Sequence, residues 1–250
     1  MSTSPPGGVQ GAPPIKIDKQ PARIAGMFDA IAPSYDRLNH VLSGGIDWWW
    51  RRRAVRSLAL TGQERVLDLC TGTADLAIAT ASPRGGAREV IGVDFAGAML
   101  AIGAAKVRRA ALADRVRFAR GDAERVPLAD ASVDAVTMAF GIRNVRDPER
   151  GCRECLRVLR PGGRLAILEF GAMTVPGLRH AYGWYLTHVL PRIGRVLSRH
   201  HEAYDYLPAS MAEFPSGDDF VKLLQRAGFR DARAVPLTLG AVYLYVARKP

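Results

Sequence analysis

The chain has 250 residues, of which 48% are hydrophobic, enough for one α/β domain with a well-buried core. Its three cysteines are too few for a disulfide framework, and no stretch has the roughly 20 apolar residues of a membrane span, so we expect a reducing compartment and only peripheral membrane contact. The formal charge of +11 favours an anionic partner such as nucleic acid or an acidic membrane surface.

The N-terminal segment 1–22 begins with a proline- and glycine-rich stretch, which predicts a disordered tail, and it lacks the apolar core of a signal peptide. The remainder, 23–250, is expected to form a single domain. It starts with a short predicted helix from Ile24 to Ile31, interrupted at Pro33.

Consecutive tryptophans, Trp48 to Trp50, precede consecutive arginines, Arg51 to Arg53. The pattern predicts an amphipathic helix that caps the domain, with tryptophan inward and arginine in solvent. The alternative is an interfacial patch, because tryptophan beside cationic groups suits the headgroup region of a membrane.

The segment 65–75 reads RVLDLCTGTAD, in which a short apolar run ends in small residues before a helical pattern resumes. This predicts a strand, a tight turn and a helix. Gly72 lies in the turn, where a backbone without a β-carbon can approach a cofactor and offer free N–H groups. The alternative is that Gly72 only makes the turn.

The next predicted strand runs from Glu89 to Val93 and ends in Asp94, and a helix is predicted from Ala96 to Arg109. A carboxylate about 20 residues beyond a glycine turn can accept hydrogen bonds from both hydroxyls of a ribose. The alternative role for Asp94 is to cap the helix, and both roles can hold together.

A third predicted strand, Arg115 to Ala119, is followed by Asp122 and Ala123. Asp122 after Gly121 also suits an ordinary turn. The fourth predicted strand runs from Ala135 to Phe140.

The fourth strand contains Ala139 near its end and is followed by Arg143 and Asn144. Ligands of open α/β sheets bind beyond the carboxyl ends of the strands, so we expect these residues to face the same crevice as Gly72 and Asp94. An ordinary alternative for Arg143 is a salt bridge at a strand end.

The second half of the chain continues the alternation and then departs from it. The predicted elements are a helix from Glu149 to Leu159, a stop at Arg160 to Gly163, a strand from Leu165 to Phe170, a long apolar and basic segment from Val175 to Leu197, a helix from Asp218 to Ala227, and strands from Phe229 to Val235 and from Ala241 to Ala247.

The glycine turn does not have the G-x-G-x-x-G pattern of dinucleotide-binding folds. It resembles the first motif of class I S-adenosyl-L-methionine (SAM) methyltransferases, D-x-G-x-G-x-G, carried here by Asp68, Gly72 and Thr73. Cys70 and Ala74 replace the outer glycines, and both are small.

A more specific resemblance begins at the N-terminus. The signature Y-D-x-x-N-x-x-L-S-x-x-x-H-x-x-W of the menaquinone and ubiquinone biosynthesis C-methyltransferases is similar to the segment from Tyr35 to Trp50, with Asp47 in place of histidine. The sequences RVLRPGGRLAILEFG and Y-x-Y-L-x-x-S-x-x-x-F-P resemble further signatures of that family.

The resemblance implies a class I, Rossmann-like α/β fold. It implies a seven-stranded, mostly parallel sheet with an antiparallel last strand, helices on both faces, and a helical cap from about 23–60 and 172–216. It also implies SAM binding, with Asp122 accepting from the adenine amino group and the Ala123 N–H donating to a ring nitrogen. The full set of cofactor candidates is Asp68, Gly72, Thr73, Asp94, Asp122, Ala123 and Ala139.

The catalytic candidates are Arg143 and Asn144, which would orient a quinol ring, with Tyr35 and Asp36 closing over the site. The implied activity is conversion of demethylmenaquinol to menaquinol, with the benzoquinol of the ubiquinone pathway as an alternative or second substrate. Two alternative functions belong to different classes. The positive charge suggests an RNA methyltransferase, and the departures Ala74 and Asp47 suggest a SAM-binding protein without catalytic activity.

We expect a polyprenyl quinol as substrate, no nucleic acid partner, and a cytoplasmic protein that contacts the anionic inner face of the cell membrane. A homo-oligomer is left open. Cys152 and Cys155 have C-x-x-C spacing, but no second ligand pair lies nearby, so no metal is expected.

Overall fold

The computed structural model describes residues 18–171, 173, 175 and 202–250. Within these ranges seven strands form one sheet, accompanied by seven α-helices. The strands are β1 (Arg65–Leu69), β2 (Glu89–Asp94), β3 (Val116–Arg120), β4 (Val133–Ala139), β5 (Leu159–Phe170), β6 (Arg230–Leu237) and β7 (Val242–Arg248). The helices are α1 (Pro21–Leu42), α2 (Asp47–Ser57), α3 (Asp75–Ala81), α4 (Gly97–Arg109), α5 (Pro148–Val158), α6 (Glu202–Glu213) and α7 (Asp218–Arg226).

The strand order is β3-β2-β1-β4-β5-β7-β6. Strand β7 runs antiparallel to both of its neighbours, whereas the pairs among β1 to β5 are parallel. The predicted fold class, with its antiparallel last strand, is therefore confirmed. From β1 the chain adds β2 and β3 on one side of the sheet, and it then adds β4 and β5 on the other side. The direction of strand addition thus switches between β1 and β4, and a ligand crevice is expected at the carboxyl ends of these two strands.

Both faces of the sheet are buried, because successive side chains of each strand point to opposite sides. Leu67 and Leu69 pack with α5 and α7, whereas Val66 packs with α2, α3 and α4. This double burial explains why the parallel strands have nearly continuous apolar sequences. The same alternation places Asp68 on the face of α2 and α3.

Helix α1 continues through Pro33, so the predicted interruption is wrong. Ile31 and Ala32 are buried against Ala96 and Met99 near the start of α4, and this packing outweighs the cost of the proline. The Ser34 hydroxyl donates to the Ile31 carbonyl at 3.1 Å, one residue after the proline.

Helix α2 only partly follows its predicted orientation. Trp50 is buried, and its indole N–H donates to the Thr238 hydroxyl at 2.9 Å. Trp48 and Trp49 are exposed, whereas Arg51, expected in solvent, is buried. The helix is therefore buried along the side that carries Trp50, Arg51 and Ala54, and the arginine needs carboxylate partners there.

Two boundaries differ from prediction. The stop at 160–163 ends α5, but strand β5 already begins at Leu159, and Gly162 supplies a left-handed bend (φ 74°) within it. Helix α1 begins at Pro21, inside the predicted tail. Most of that tail, and nearly all of the predicted segment Val175–Leu197, lie outside the described residues.

Candidate active site

The turn after β1 forms one wall of a cleft at the carboxyl edge of the sheet. Cys70, Gly72 and Ala74 adopt left-handed backbone conformations, with φ of 55°, 53° and 69°. These are the positions at which the D-x-G-x-G-x-G motif has glycine, so Cys70 and Ala74 each bear a backbone cost of about 1–2 kcal/mol. A β-carbon added to Gly72 would meet no atom within 4 Å, so the space beside this backbone is open to a ligand.

The cleft is narrow. Its lining includes Tyr35 of α1, Arg51 of α2, Thr73 of the turn and Phe140 after β4. Its volume is about 30 Å³, which is the space of about one water molecule.

Asp94 connects the glycine turn to the start of α4. One of its carboxylate oxygens accepts from the Gly72 N–H at 2.8 Å, and the other accepts from the Ala96 N–H at 2.9 Å. Burial raises its pKa, and the two N–H donors oppose that rise. A carboxylate offers about four lone-pair sites, so Asp94 retains acceptors for a ribose while also ordering the entrance to α4.

Asp68 lies beneath the turn and is 1% exposed. Its carboxylate accepts from the hydroxyls of Thr71 at 2.6 Å and Thr137 at 2.7 Å. Burial raises its pKa to about 6, although both hydroxyls lower it. At neutral pH Asp68 thus supplies buried negative charge to the cleft.

The two adenine candidates lie in a turn after β3. The Asp122 carboxylate accepts from the Glu124 N–H at 2.9 Å, so the ordinary turn role is present, and Ala123 is buried. Ala139 lies at the end of β4 and lines the cleft with Asp68. The fold thus places these candidates along one edge of the sheet, and their contacts with a cofactor remain a prediction.

Arg143 and Asn144 form a short 3₁₀ turn directly after β4, and both are buried. One Arg143 Nη donates to Glu169 at 2.8 Å and also to the Phe140 carbonyl, and the guanidinium lies 5.1 Å from the Phe170 ring centroid. The salt-bridge alternative is therefore present. The Arg143 Nε–H nevertheless has no hydrogen-bond partner among the described residues.

Asn144 is held by the cap helix α6. The Tyr206 hydroxyl donates to the Asn144 side-chain oxygen at 3.0 Å, and burial raises the pKa of Tyr206 to about 12. Because Tyr206 is a donor, it fixes the orientation of the Asn144 amide. The amide nitrogen donates to the Phe140 carbonyl at 3.4 Å, which leaves its second N–H for a ligand.

A chain of charges joins α1 to the cofactor turn. Lys106 of α4 donates to Asp36 at 2.7 Å and also to Asp75, while Asp36 accepts from the Thr73 hydroxyl. Arg51 lies 3.6 Å from Asp75 on the other side. The fold thus brings the predicted residues Asp36 and Thr73 together through a lysine that the sequence analysis did not select.

Tyr35, the neighbour of Asp36, lines the cleft itself. Burial of its hydroxyl raises the pKa, and a hydrogen bond with Asn39 and the nearby charges of Arg143 and Arg51 partly oppose this. Tyr35 therefore stays protonated at neutral pH and acts as a hydrogen-bond donor or acceptor rather than as a base.

Sequence reasoning missed four residues of this site: Arg51, Lys106, Glu169 and Tyr206. Glu169 and Tyr206 stand inside the segments that resemble family signatures, which was a usable signal. Arg51 looked like a solvated arginine, and Lys106 had no motif at all.

The cleft suits SAM in three respects. Gly72 leaves an open approach to the backbone, Asp94 and Asp68 supply acceptors, and the buried Arg51 Nε–H has no partner within the described structure. These groups match the hydroxyls, cationic centres and carboxylate of that molecule. Three or more potential metal ligands do not cluster anywhere in the described ranges.

The sheet order and the glycine turn define the fold of the class I SAM-dependent methyltransferases. A solved SAM-dependent methyltransferase of Thermotoga maritima has the same fold, with a TM-score of 0.64 and 22% identity over 91% of this chain and 100% of that one. Residues 16–249 match the model of the ubiE/COQ5 methyltransferase family. The chain belongs to that family, and the predictions of family, SAM-dependent methyltransferase activity and SAM as cofactor are confirmed.

Curated relatives cover nearly the whole chain. A ubiquinone/menaquinone biosynthesis C-methyltransferase of Geobacter sp. (strain M21) is 43% identical over 93% of this chain and 99% of its own length. A demethylmenaquinone methyltransferase of Bacteroides fragilis is 38% identical over 92% of this chain and 94% of its own. None of the helices in the described ranges is long and apolar enough to cross a membrane.

Proposed function

We propose that this chain methylates a ring carbon of demethylmenaquinol and yields menaquinol. The names of the relatives support a quinone-pathway substrate, and one is named a demethylmenaquinone methyltransferase. The observation that carries the proposal is the buried Arg143, whose guanidinium is fixed by Glu169 but whose Nε–H has no partner in the described site.

The chemistry needs an electron-rich ring carbon beside an electrophilic methyl group. SAM, when bound, supplies that methyl group on a sulfonium. Loss of one quinol hydroxyl proton makes the adjacent ring carbon more nucleophilic, and a fixed cation lowers the cost of the resulting phenolate. The Arg143 Nε–H is such a cationic donor.

Bond making then balances in a simple way. SAM, when bound, would supply the methyl group and keep the electron pair of its C–S bond on sulfur. The quinol ring carbon would supply the pair for the new C–C bond, the ring proton would leave to restore aromaticity, and the phenolate oxygen would regain its proton to give the quinol. Asn144, oriented by Tyr206, would donate to the second ring oxygen and fix which carbon faces the methyl group. Water is the proton acceptor in this proposal, because Tyr35 stays protonated.

The test is methyl transfer from labelled SAM to two reduced acceptors with short prenyl tails, a demethylmenaquinol and a 2-methoxy-6-prenyl-1,4-benzoquinol, with bulk tRNA as a third acceptor. Label in the naphthoquinol supports the proposal. Transfer chiefly to the benzoquinol would mean that the ubiquinone-pathway quinol, and not demethylmenaquinol, is the substrate. Label only in RNA would refute the proposal.

The role of Arg143 is tested by Arg143→Met beside a matched control, Arg146→Met. Arg146 is exposed and pairs with Glu124 at 3.2 Å rather than with Arg143 or Glu169, so its loss removes a charge without removing a contact of Arg143. We expect Arg143→Met to lose at least about 100-fold in kcat, since a charged hydrogen bond to a developing anion contributes about 2.7–4 kcal/mol. Near-normal turnover would contradict the assignment.

We also propose peripheral contact with the anionic cytoplasmic face of a membrane, where a polyprenyl quinol resides. Ile46, Trp48 and Trp49 are 37%, 53% and 37% exposed at the start of α2. The Arg52 guanidinium lies 5.5 Å from the Trp48 ring centroid, and Arg53 is exposed beside it. Basic residues near such a surface contribute about 1 kcal/mol each.

Vesicle sedimentation tests this contact. Binding to vesicles that contain phosphatidylserine should exceed binding to neutral vesicles, and should fall as salt rises. Substitution of Trp48 and Trp49 by serine should weaken it further, because indole rings anchor in the headgroup region. Equal binding to both vesicle types at low salt would contradict the proposal.

A further inference from the structure

Arg51 is a buried cation on the wall of the cofactor cleft. Its side chain is 9% exposed. One Nη donates to Asp47 and the other lies 3.6 Å from Asp75. The Nε–H is buried and has no partner among the described residues. Asp47 and Asp75 are thus partners for the two Nη groups of Arg51, but its Nε–H lacks an acceptor in this part of the structure.

We infer that Arg51 binds the carboxylate of the methionine part of SAM through this donor; the inference rests on the SAM-dependent function given above. A buried donor without an acceptor is unfavourable, and a guanidinium edge matches a carboxylate well. Within the described residues, Arg51 is the only cationic side chain lining this cleft.

The sheet order supports this placement. The adenine and ribose candidates, Asp122 and Asp94, follow β3 and β2, and the glycine turn follows β1. An elongated cofactor that continues along the same edge reaches the end of β4, where Ala139 and Phe140 line the cleft together with Arg51. The methionine end therefore lies at Arg51 when the adenosine end lies at Asp94.

Asp47 orients Arg51 for this task. It stands where the family signature has histidine, and its carboxylate also accepts from the Ser43 hydroxyl at 3.1 Å. His40 lies 3.3 Å from the same carboxylate oxygen. These contacts hold Asp47 in place one helical turn before Arg51, so its carboxylate fixes one Nη of a guanidinium that lines the cleft.

The experiment compares two ligands that differ only in the carboxylate, S-adenosylhomocysteine and its decarboxylated analogue. Calorimetry gives the affinity of each for the wild-type protein, Arg51→Met, Arg51→Lys and the control Arg53→Met, which alters an exposed arginine on the same helix. We expect the wild-type protein and the control to prefer the carboxylate ligand by about 10- to 100-fold.

Arg51→Met should lose most of this preference by weakening S-adenosylhomocysteine alone, and Arg51→Lys should retain part of it. Equal weakening of both ligands would assign Arg51 a structural role and overturn the inference. If Arg51→Met fails to fold, the double variant Asp47→Asn/Arg51→Met removes the stranded carboxylate, and the same loss of preference is expected.

The outcomes separate this inference from the function. A wild-type protein that binds both ligands equally overturns only the role of Arg51. A wild-type protein that binds neither ligand overturns the SAM-dependent function and the inference together.

Discussion

Gly141→Ala should be strongly destabilising because of one neighbouring side chain. A β-carbon at Gly141 would lie 2.4 Å from the Cys70 β-carbon and 3.0 Å from its sulfur. Carbon atoms in contact are about 3.5–4.0 Å apart, so the two segments must separate by more than about 1 Å. The φ of Gly141 is −107°, which alanine adopts freely, so the effect comes from space alone.

Overpacking of a core typically costs about 1–3 kcal/mol. In a chain of this size a loss of about 2 kcal/mol lowers the thermal midpoint by about 4–8 °C. Urea unfolding of Gly141→Ala, Cys70→Gly and the double variant forms a cycle that isolates the contact. Gly26→Ala is the control, because an added β-carbon there meets no atom within 4 Å on an exposed side of α1.

We expect Cys70→Gly alone to be nearly neutral, because glycine relieves the left-handed strain while the packing of the thiol is lost. In the double variant most of the cost of Gly141→Ala should disappear, with a coupling energy of about 2 kcal/mol. A double variant as unstable as Gly141→Ala itself would refute the reasoning.

Three further predictions concern the charged groups. Glu169→Gln should lower kcat about tenfold or more, because the fixed charge that holds Arg143 is lost and about 1.4 kcal/mol of transition-state stabilisation corresponds to a factor of ten. The affinity for S-adenosylhomocysteine should be unchanged. Steady-state kinetics measures the first effect and calorimetry the second. Asp68 has a folded-state pKa of about 6 against an ordinary 3.8, so its stabilising contribution is complete below pH 3.8 and is lost as pH rises through about 6. The free energy of unfolding, measured in urea from pH 4 to 7, should therefore fall as pH rises. Asp68→Asn should make this pH dependence weaker. Lys106→Met should speed dissociation of S-adenosylhomocysteine about fivefold in stopped-flow measurements, since it releases Asp36 of α1 and a part-exposed ion pair contributes about 1 kcal/mol.

The sequence predicted the sheet well because its strands are apolar on both faces and end at turn residues. Asp94 and Gly72 could be paired from spacing alone, and the structure joins them by a hydrogen bond of 2.8 Å. Helix α1 could not be read correctly, because the packing of Ile31 on α4 that carries it through Pro33 depends on residues distant in the chain.

The site residues that could not be predicted from the sequence also depend on contacts between residues distant in the chain. Glu169 reaches Arg143 only because β4 and β5 are adjacent, and Arg51, which pairs with Asp47 of its own helix, gains a second carboxylate when Asp75 arrives from another helix. The charge pattern along one helix predicts a solvated arginine, whereas the tertiary fold buries this arginine and adds a carboxylate from another helix. Local patterns thus locate the cleft, and only the assembled sheet shows which charged groups meet in it.

The two replaced glycines of the motif bear on whether the site can work. Cys70 is accommodated by Gly141, and Ala74 by Gly103, where an added β-carbon would lie 3.1 Å from that of Ala74. Each added side chain is therefore directed into space left by a glycine on a neighbouring segment, away from Gly72. Because the approach to Gly72 remains open, the replacements cost backbone energy but do not fill the cofactor position. This geometry favours a working methyltransferase over a SAM-binding protein that has lost catalysis.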